Sequence, residues 1–281
     1  MSDTQQVTLP TIAMLGAGSM GRAILTGLLA PEVTVTGGIR VTNRSAARAA
    51  ELESADVTAL ATETKPDANR LAVDGAEIVI VAVKPAMVPE LLREIASSLT
   101  PGAVVVSVAA GVTTATFESL LPESVSVVRS MPNTPAIVGR AVTGISPGTR
   151  SDEDDLALVR TLFETVGEVV EVPESQLDAL STISGSGPAY VFLLIEELTA
   201  AAIGKGFSPE QAATLVNGTF LGAAELLVSS GEDPAELRRR VTSPGGTTER
   251  AIEVLRSADL ADLFARATDA ALARARELAA S

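Results

Sequence analysis

The chain has 281 residues, of which 46% are hydrophobic, and a net charge of −14. This composition is that of a folded protein with one large or two moderate domains, and the absence of any basic block argues against nucleic-acid binding. The chain has neither cysteine nor histidine, which excludes disulfides, the common zinc sites and histidine-based acid–base catalysis. We therefore expect no metal, and chemistry carried by hydroxyls, backbone groups or a cofactor.

The first ten residues, MSDTQQVTLP, have neither the basic start nor the apolar run of a signal peptide. Together with the missing cysteine, this predicts a cytoplasmic protein. The most apolar stretch, AYVFLLIEELTAAAI, contains Glu196 and Glu197 and is shorter than a bilayer span. We therefore expect no membrane segment.

Short β-branched runs alternate with helical patterns through the first 172 residues. The predicted strands are 11–15, 39–42, 57–60, 77–83, 103–109, 124–129, 142–146 and 166–172. The predicted helices between them include 19–29, 45–53, 87–98 and 152–164. Nearly unbroken valine and isoleucine strands that alternate with helices predict a doubly wound, parallel α/β sheet covered on both faces.

The pattern changes after residue 172, and from 174 onward it predicts only helices. We therefore divide the chain into an α/β domain at 1–172 and an all-helical domain at 173–281. The predicted helix at 188–203 is apolar almost all round, which predicts that it is buried. A helical domain of about a hundred residues has limited capacity to cover such a helix alone. A dimer core is favoured over a monomeric bundle.

A glycine-rich motif, GAGSMG, follows the first predicted strand and opens a helix. In this GxGxxG spacing Gly16 permits a tight turn, Gly18 lets a pyrophosphate approach the backbone, and Gly21 lets helix and strand pack closely. The helix N-terminus then presents free N–H groups to the phosphates. The alternative is a purely structural turn. The predicted cofactor contacts are Gly16, Ala17, Gly18, Ser19, Met20 and Gly21.

The second strand of this unit ends in Asn43 and Arg44. A Rossmann site for NAD normally carries an acidic residue here, for the ribose 2′-hydroxyl. An arginine suits a 2′-phosphate, and no carboxylate is expected nearby to repel it. The sequence therefore favours NADP over NAD. The alternative is an N-cap with a solvated arginine.

Three predicted strands end in turn-rich segments. Lys84 and Pro85 follow one strand, and SVAAG (107–111) and RSMPNTP (129–135) end two others. Open α/β sheets bind ligands at the carboxyl ends of their strands, so these segments are expected to form the walls of a nicotinamide pocket. For Lys84 alone, an ordinary exposed lysine would be the simpler interpretation.

Five motifs, GAGSMG, AVKP, RSMPNTP, SGSGPAY and SPGGTT, resemble in order and spacing those of the Δ1-pyrroline-5-carboxylate reductases. These are NAD(P)H enzymes that complete proline synthesis, and the resemblance covers nearly the whole chain. It implies a Rossmann domain followed by an all-helical domain that intertwines with a second subunit, giving a homodimer or a larger assembly of dimers. It adds to the cofactor contacts Asn69, Ala82, Val83, Lys84, Pro85 and Ala109.

The same resemblance places the substrate at SPGGTT. The implied contacts with this small cyclic imino acid are Val241, Ser243, Gly245, Gly246, Thr247 and Thr248. Gly245 and Gly246 are expected to expose successive N–H groups before a helix at 248–257, as a nest for the carboxylate. Thr248 is the expected catalytic residue, orienting the ring nitrogen while the cofactor supplies hydride. From the six letters alone, a helix connection with a threonine N-cap is the alternative.

The resulting interpretation is NADPH-dependent reduction of L-Δ1-pyrroline-5-carboxylate to L-proline, with NADP(H) preferred and NAD(H) open as an alternative. One rival is a β-hydroxyacid-type dehydrogenase, which requires a lysine in the helical half. Lys205, in the glycine-flanked segment IGKGF, is the only lysine there. A second rival is a regulatory protein that binds NADP without turnover.

Overall fold

The structure, a computed structural model, describes residues 6–279. The described residues up to Ser186, together with those from Leu272 onward, form one compact unit, and Gly187–Ala271 form the other. The sequence-based division between residues 172 and 173 stays a prediction.

Eight strands form the main sheet of the first unit, in the spatial order β10-β9-β8-β7-β6-β2-β4-β5. The pairs are parallel, with the exception of β8 and β9, which run antiparallel. Two short strands form a separate parallel pair. The bounds are β1 Val7–Leu9, β2 Ile12–Leu15, β3 Val33–Val35, β4 Ile39–Asn43, β5 Val57–Ala61, β6 Ile78–Val81, β7 Val104–Ser107, β8 Ser126–Met131, β9 Ala141–Pro147 and β10 Gly167–Glu171.

Seven helices accompany these strands in the described part of the first unit. They are α1 Ser19–Leu28, α2 Ala46–Ala50, α3 Ala68–Val73, α4 Val88–Ile95, α5 Thr114–Leu120, α6 Glu153–Glu164 and α7 Glu174–Leu180. Three 3-10 turns lie at Pro85–Met87, Ala96–Ser98 and Thr134–Val138, and a π-helix at Ser181–Gly185 follows α7.

The two faces of the sheet carry two separate apolar cores. Successive residues of a strand point to opposite faces, so Met14 of β2 joins a cluster with Ile24 of α1 and Phe163 of α6. Leu15, the next residue, joins a second cluster with Phe117 of α5 and several residues of α4. Burial on both faces explains the continuous apolar strands, and it confirms the predicted doubly wound α/β class.

The predicted strands match observed ones within a few residues. The sequence missed β1 and β3 because each has only three residues, too few for a clear pattern. It also predicted an all-parallel sheet, whereas β9 pairs antiparallel to β8. The connection between these strands, about nine residues, is too short for the crossover that a parallel pair needs.

Helix α7 packs within the first unit, although it lies beyond residue 172. A Cβ built at Gly144 of β9 would lie 2.6 Å from a methyl group of Leu180 and 3.0 Å from one of Leu177. Leu177 is buried. The missing side chain at Gly144 therefore leaves the space in which α7 lies against the sheet.

The described part of the second unit is entirely helical, as predicted. Its helices are α8 Gly187–Gly204, α9 Pro209–Ser230, α10 Pro234–Arg240, α11 Thr247–Ser257 and α12 Leu260–Ala279, the last of which extends into the first unit. Within this unit α8 packs against α9, and the ring of Tyr190 meets that of Phe264 edge to face.

Helix 188–203 is not buried by its own chain, which agrees with the dimer core that the sequence favours over a monomeric bundle. Phe192 is 65% exposed, and Val191, Leu193 and Leu194 are exposed as well. A helix that is apolar all round needs partners on every side, and one chain covers only part of this surface.

The expectation of no segment long enough to cross a membrane also needs correction. The continuous helix Glu174–Gly204, which contains α7 and α8, and the helix Pro209–Ser230 are both long and apolar enough by length and composition. The π-helix joins α7 to α8 and so lengthens the apolar run that the sequence suggested. Helices that meet in an apolar subunit interface satisfy the same criteria.

Replacement of Gly27 by alanine tests the packing of α1. A Cβ at Gly27 would lie 2.3 Å from a methyl group of Val166 and 2.8 Å from the Thr165 carbonyl oxygen. At a solvent-exposed position within a helix, replacing glycine by alanine raises the free energy of unfolding by about 1 kcal/mol. At Gly27 we expect it to fall by about 1–3 kcal/mol, because the added methyl group overpacks this contact. Denaturant unfolding measures the difference. Thr26→Ala, at the neighbouring exposed position, is the control and should shift stability by less than about 0.5 kcal/mol. A stabilised Gly27→Ala variant would contradict the packing described.

Candidate functional site

The glycine-rich loop lies where β2, β6 and α1 meet. Gly16 has a φ of +90°, which favours glycine, and a Cβ there would lie 2.9 Å from both the Ala82 oxygen and a Val83 methyl group. A Cβ at Gly21 would lie 2.7 Å from the Gly16 oxygen. These contacts bring the loop against Ala82 and Val83 at the end of β6. Two segments predicted to hold the cofactor are thus in direct contact.

Gly18 differs from these two glycines because its missing side chain faces open space, with no atom within 4 Å of a built Cβ. It is the N-cap of α1, whose first turn carries no acidic residue, and Ser19 is exposed. The first N–H groups of a helix have no partner within it. The loop therefore offers both the room and the donors that a pyrophosphate requires, and the residues present fit a dinucleotide.

The end of β4 lies beside this loop. The Asn43 side-chain amide donates to the Ala17 carbonyl oxygen at 3.5 Å. Arg44 is exposed, and among residues 6–279 its side chain forms no hydrogen bond or ion pair, so its charge is available to a ligand.

A carboxylate is present at this end of β4, contrary to the expectation from the sequence. The Ala46 N–H, at the start of α2, donates to Glu63 Oε1 at 2.6 Å. Ser45 is the N-cap but its side chain makes no capping bond. The expectation was wrong because Glu63 follows β5, the neighbouring strand, and lies about twenty residues further along the chain.

A cavity of about 280 Å³ opens between these elements. Asn69 lies in its wall and donates its side-chain amide to Glu94 Oε2 at 3.0 Å. The cavity is lined by Gly16, Thr42, Asn43, Arg44, Thr62, Pro66, Asn69, Val83, Met87, Glu90, Leu91 and Glu94. Five predicted cofactor residues are among them, so the structure brings together the loop, the end of β4 and Asn69.

The remaining predicted cofactor residues lie at the ends of strands. Lys84 and Pro85 are exposed at the start of a 3-10 turn, and Ala109 is buried just after β7. Lys84 forms no ion pair with any residue of the described range.

Two residues of the segment RSMPNTP make structural contacts with the elements that follow the sheet. Arg129 is buried, and its guanidinium donates to Asp178 at 2.6 Å and to Glu174 at 3.4 Å. Asn133 donates to the Ser184 carbonyl oxygen at 2.9 Å. Arg129 and Asn133 therefore anchor α7 and the following π-helix to the sheet.

The turn at SPGGTT already uses two of the N–H groups that were expected to bind an anion. The Gly246 N–H donates to the Ser243 oxygen at 3.0 Å, which closes the turn. The Gly245 N–H, at a φ of +73°, donates to the Glu249 carboxylate at 2.8 Å. The expected anion nest at Gly245 and Gly246 is therefore wrong. The N–H groups without a partner in the helix are those of the first turn of α11, residues 247–249.

The N-cap of α11 is Gly246, so the alternative of a threonine cap is wrong. Thr247 and Thr248 are the first two residues of the helix, and both are exposed. Among the described residues, the Thr248 hydroxyl has no hydrogen-bond partner. Val241 and Ser243 are exposed as well. The predicted substrate residues thus share one turn and one helix N-terminus within the second unit.

The helix before this turn carries paired charges. Hydrogen bonds from Arg239 and then Arg240 lower the pKa of Glu236 to about 2. Arg240 also pairs with Glu232 at 2.6 Å. With this low pKa the Glu236 carboxylate stays ionised at neutral pH, and it pairs with Arg239 and Arg240 within α10.

Sequence reasoning missed several residues that line the cavity. Thr62 and Pro66 follow β5, and the rule that ligands bind at strand carboxyl ends could have identified them. Met87, Glu90, Leu91 and Glu94 lie on one face from the 3-10 turn into α4. In the sequence, the spacing of these residues indicated only a helix that packs against the sheet, and it did not indicate a cavity.

Comparison with known protein families gives two matches. Residues 174–278 match the model described as pyrroline-5-carboxylate reductase dimerisation. Residues 11–111 match the model described as NADP oxidoreductase coenzyme F420-dependent.

Comparison with individual proteins covers nearly the whole chain. A pyrroline-5-carboxylate reductase from Corynebacterium melassecola is 40% identical over 96% of this chain and 99% of its own. The solved structure of one from Coxiella burnetii has a TM-score of 0.87 at 36% identity and covers 98% of this chain and 99% of that one. A Plasmodium falciparum pyrroline carboxylate reductase with NADP bound shares the fold, with a TM-score of 0.79 at 24% identity over 96% of this chain and 98% of its own.

Substitution of Gly18 separates nucleotide binding from folding. Because open space surrounds this position, Gly18→Ala should leave the free energy of unfolding within about 0.5 kcal/mol. The added methyl group should still obstruct the pyrophosphate and weaken NADP⁺ binding at least about tenfold, or 1.4 kcal/mol. Calorimetric titration and thermal unfolding measure the two effects. Gly21→Ala is the contrasting variant and should lose about 1–3 kcal/mol of stability. Unchanged NADP⁺ affinity in Gly18→Ala would argue against this loop as the phosphate site.

Proposed function

The chain belongs to the pyrroline-5-carboxylate reductase family, and we propose from this membership how its own residues carry out the reaction. It is an NADP(H)-linked oxidoreductase that reduces Δ1-pyrroline-5-carboxylate to proline. The observation that carries the proposal for the site is the turn at 243–248, where exposed hydroxyls lie beside unbonded N–H groups of α11.

The nucleotide is held by the elements that line the cavity of the first unit. The N–H groups of α1 bind the pyrophosphate, with Gly18 giving access, and Asn69 lies on the adenosine side. The end of β6 and the turn after β7 flank the nicotinamide. The assigned contacts are Gly16, Ala17, Gly18, Ser19, Met20, Gly21, Asn43, Arg44, Asn69, Ala82, Val83, Lys84, Pro85 and Ala109.

Arg44 gives the preference for NADP(H) over NAD(H). Its guanidinium is exposed, and no described carboxylate forms an ion pair with it. A charge-assisted bond from arginine to a phosphate adds about 1.5–3 kcal/mol. NAD(H) lacks the 2′-phosphate and therefore gains none of this binding free energy.

The substrate carboxylate binds at the N-terminus of α11. The N–H groups of residues 247–249 point out of the helix end, where the helix dipole favours an anion. Ser243 and Thr247 contribute hydroxyls, and Gly245 and Gly246 shape the turn. Val241 supplies an apolar contact to the ring.

Thr248 is the proposed catalytic residue. NADPH, when bound, supplies the hydride to the imine carbon. The Thr248 hydroxyl orients the ring nitrogen and hydrogen-bonds to it as it becomes an amine. A cyclic imine can take its proton from solvent before binding, so a chain without histidine needs no strong acid. The protein contributes chiefly proximity and orientation.

The dimerisation region at 174–278 makes the protein a homo-oligomer. We propose a homodimer, or a larger assembly of dimers, in which the exposed apolar faces of α8 and α9 are covered by a second copy. Glu196 and Glu197 within α8 suit this interface better than a bilayer. We further propose a cytoplasmic protein that binds neither nucleic acid nor membrane, with a nucleotide domain at 1–172 and a helical domain at 173–281.

Replacement of Thr248 by alanine tests the substrate assignment. The loss of a hydrogen bond that strengthens in the transition state costs about 1–3 kcal/mol, so kcat/KM for pyrroline-5-carboxylate should fall about 5- to 150-fold. NADP⁺ affinity and thermal stability should not change, because Gly246 and not Thr248 caps the helix. Steady-state kinetics beside a thermal melt give both values.

The matched control is Thr242→Ala, just before the turn at 243–248. The Thr242 hydroxyl bonds back to the Arg238 carbonyl oxygen at 2.6 Å and is not assigned to the substrate. This variant should keep kcat/KM within about twofold. Equal activity of Thr248→Ala and the unmodified enzyme would remove Thr248 from the mechanism.

The assembly prediction concerns mass in solution. Sedimentation at micromolar protein should give at least twice the chain mass of 28.7 kDa. Phe192→Asp places a charge on the exposed apolar face of α8 and should shift the population towards single chains. Leu29→Asp, at an exposed leucine outside the dimerisation region, should not. A fully active single chain would exclude the proposed interface.

A further inference from the structure

We propose that Glu63 reduces the selectivity for NADP(H) over NAD(H) that Arg44 provides, by holding a negative charge beside Arg44 where the two cofactors differ. This inference rests on the proposed function, and specifically on the assignment of the 2′-phosphate to the end of β4.

The backbone fixes Glu63 next to Arg44. Beyond the last paired residues of β4 and β5, the Thr62 N–H donates to the Asn43 oxygen at 2.9 Å and the Glu63 N–H donates to the Arg44 oxygen at 3.1 Å. The side chain then turns towards α2, where Oε1 accepts the Ala46 N–H at 2.6 Å. Two hydrogen bonds, one from the backbone and one to the carboxylate, therefore hold this charge against the loop that carries Arg44.

The chemistry of this position explains the effect. A Rossmann site that binds NAD places a carboxylate at the end of the second strand, for the ribose 2′-hydroxyl. This chain has Asn43 and Arg44 there, and the neighbouring strand supplies Glu63 to the same corner. Arg44 attracts a 2′-phosphate, whereas Glu63 repels it and can accept a hydrogen bond from a free 2′-hydroxyl. The two side chains therefore have opposite effects on the affinity for a 2′-phosphate.

Glu63 is exposed, so solvent and salt reduce its effect. A unit charge close to a doubly charged phosphate should still change the affinity for that phosphate about 3- to 10-fold. Glu63→Gln removes the charge and keeps an oxygen that can accept the Ala46 N–H. We expect tighter NADP⁺ binding by that factor, and NAD⁺ binding that is unchanged or up to about threefold weaker.

The experiment is calorimetric titration of the purified full chain with NADP⁺ and, separately, with NAD⁺, in the same buffer at low salt. The variants are Glu63→Gln, Arg44→Ala and the control Glu53→Gln. Glu53 accepts the Ala59 N–H at 2.6 Å near the same edge strand and is not hydrogen-bonded to the segment that carries Arg44. Thermal melts confirm that each variant is folded.

The proposal predicts that the ratio of the two dissociation constants moves towards NADP⁺ in Glu63→Gln, towards NAD⁺ in Arg44→Ala, and not at all in Glu53→Gln. An equal change for both nucleotides in Glu63→Gln, or none, would overturn it and leave Glu63 as a cap of α2. If the unmodified chain bound neither nucleotide, the proposed function itself would fail first.

Discussion

The site in the first unit depends on the absence of side chains at Gly16 and Gly21. A Cβ on either residue would lie within 3.0 Å of another backbone atom, a separation that van der Waals repulsion forbids. The loop can therefore lie against the end of β6, and α1 can begin directly beneath it. The first N–H groups of α1, the contact of Asn43 with Ala17 and the cavity lined by Gly16 and Asn69 all lie at this close-packed corner.

At both turns that are assigned to anionic ligands, a carboxylate of the chain accepts a hydrogen bond from a backbone N–H group. Glu63 accepts from the Ala46 N–H beside Arg44 in the first unit, and Glu249 accepts from the Gly245 N–H in the turn at 243–248. Both side chains come from positions that a motif does not include. Each reduces the number of donors that a ligand can use, and each adds a negative charge beside it. Anion affinity at such turns therefore depends on neighbouring side chains as much as on glycine content.

The sequence predicted the fold class and the position of the glycine-rich loop between β2 and α1, because both rest on local patterns, namely alternating apolar runs and glycine spacing. The sequence did not predict the features that depend on contacts between residues far apart in the chain. The burial of Arg129 against Glu174 and Asp178 depends on how α7 packs, and Glu63 reaches α2 from the next strand. The exposure of α8 could not be derived from its composition, because an apolar helix has the same pattern whether its own chain or a second copy covers it.

This chain is assigned hydride transfer from NADPH to a cyclic imine, without a histidine or a metal ligand cluster among its assigned residues. The most direct measurement follows NADPH absorbance with purified protein and Δ1-pyrroline-5-carboxylate in metal-chelating buffer, and quantifies proline at the end. Proline is expected to form in the same molar amount as NADPH is consumed. NADPH that binds but is not oxidised, or oxidation that leaves no proline, would contradict this assignment.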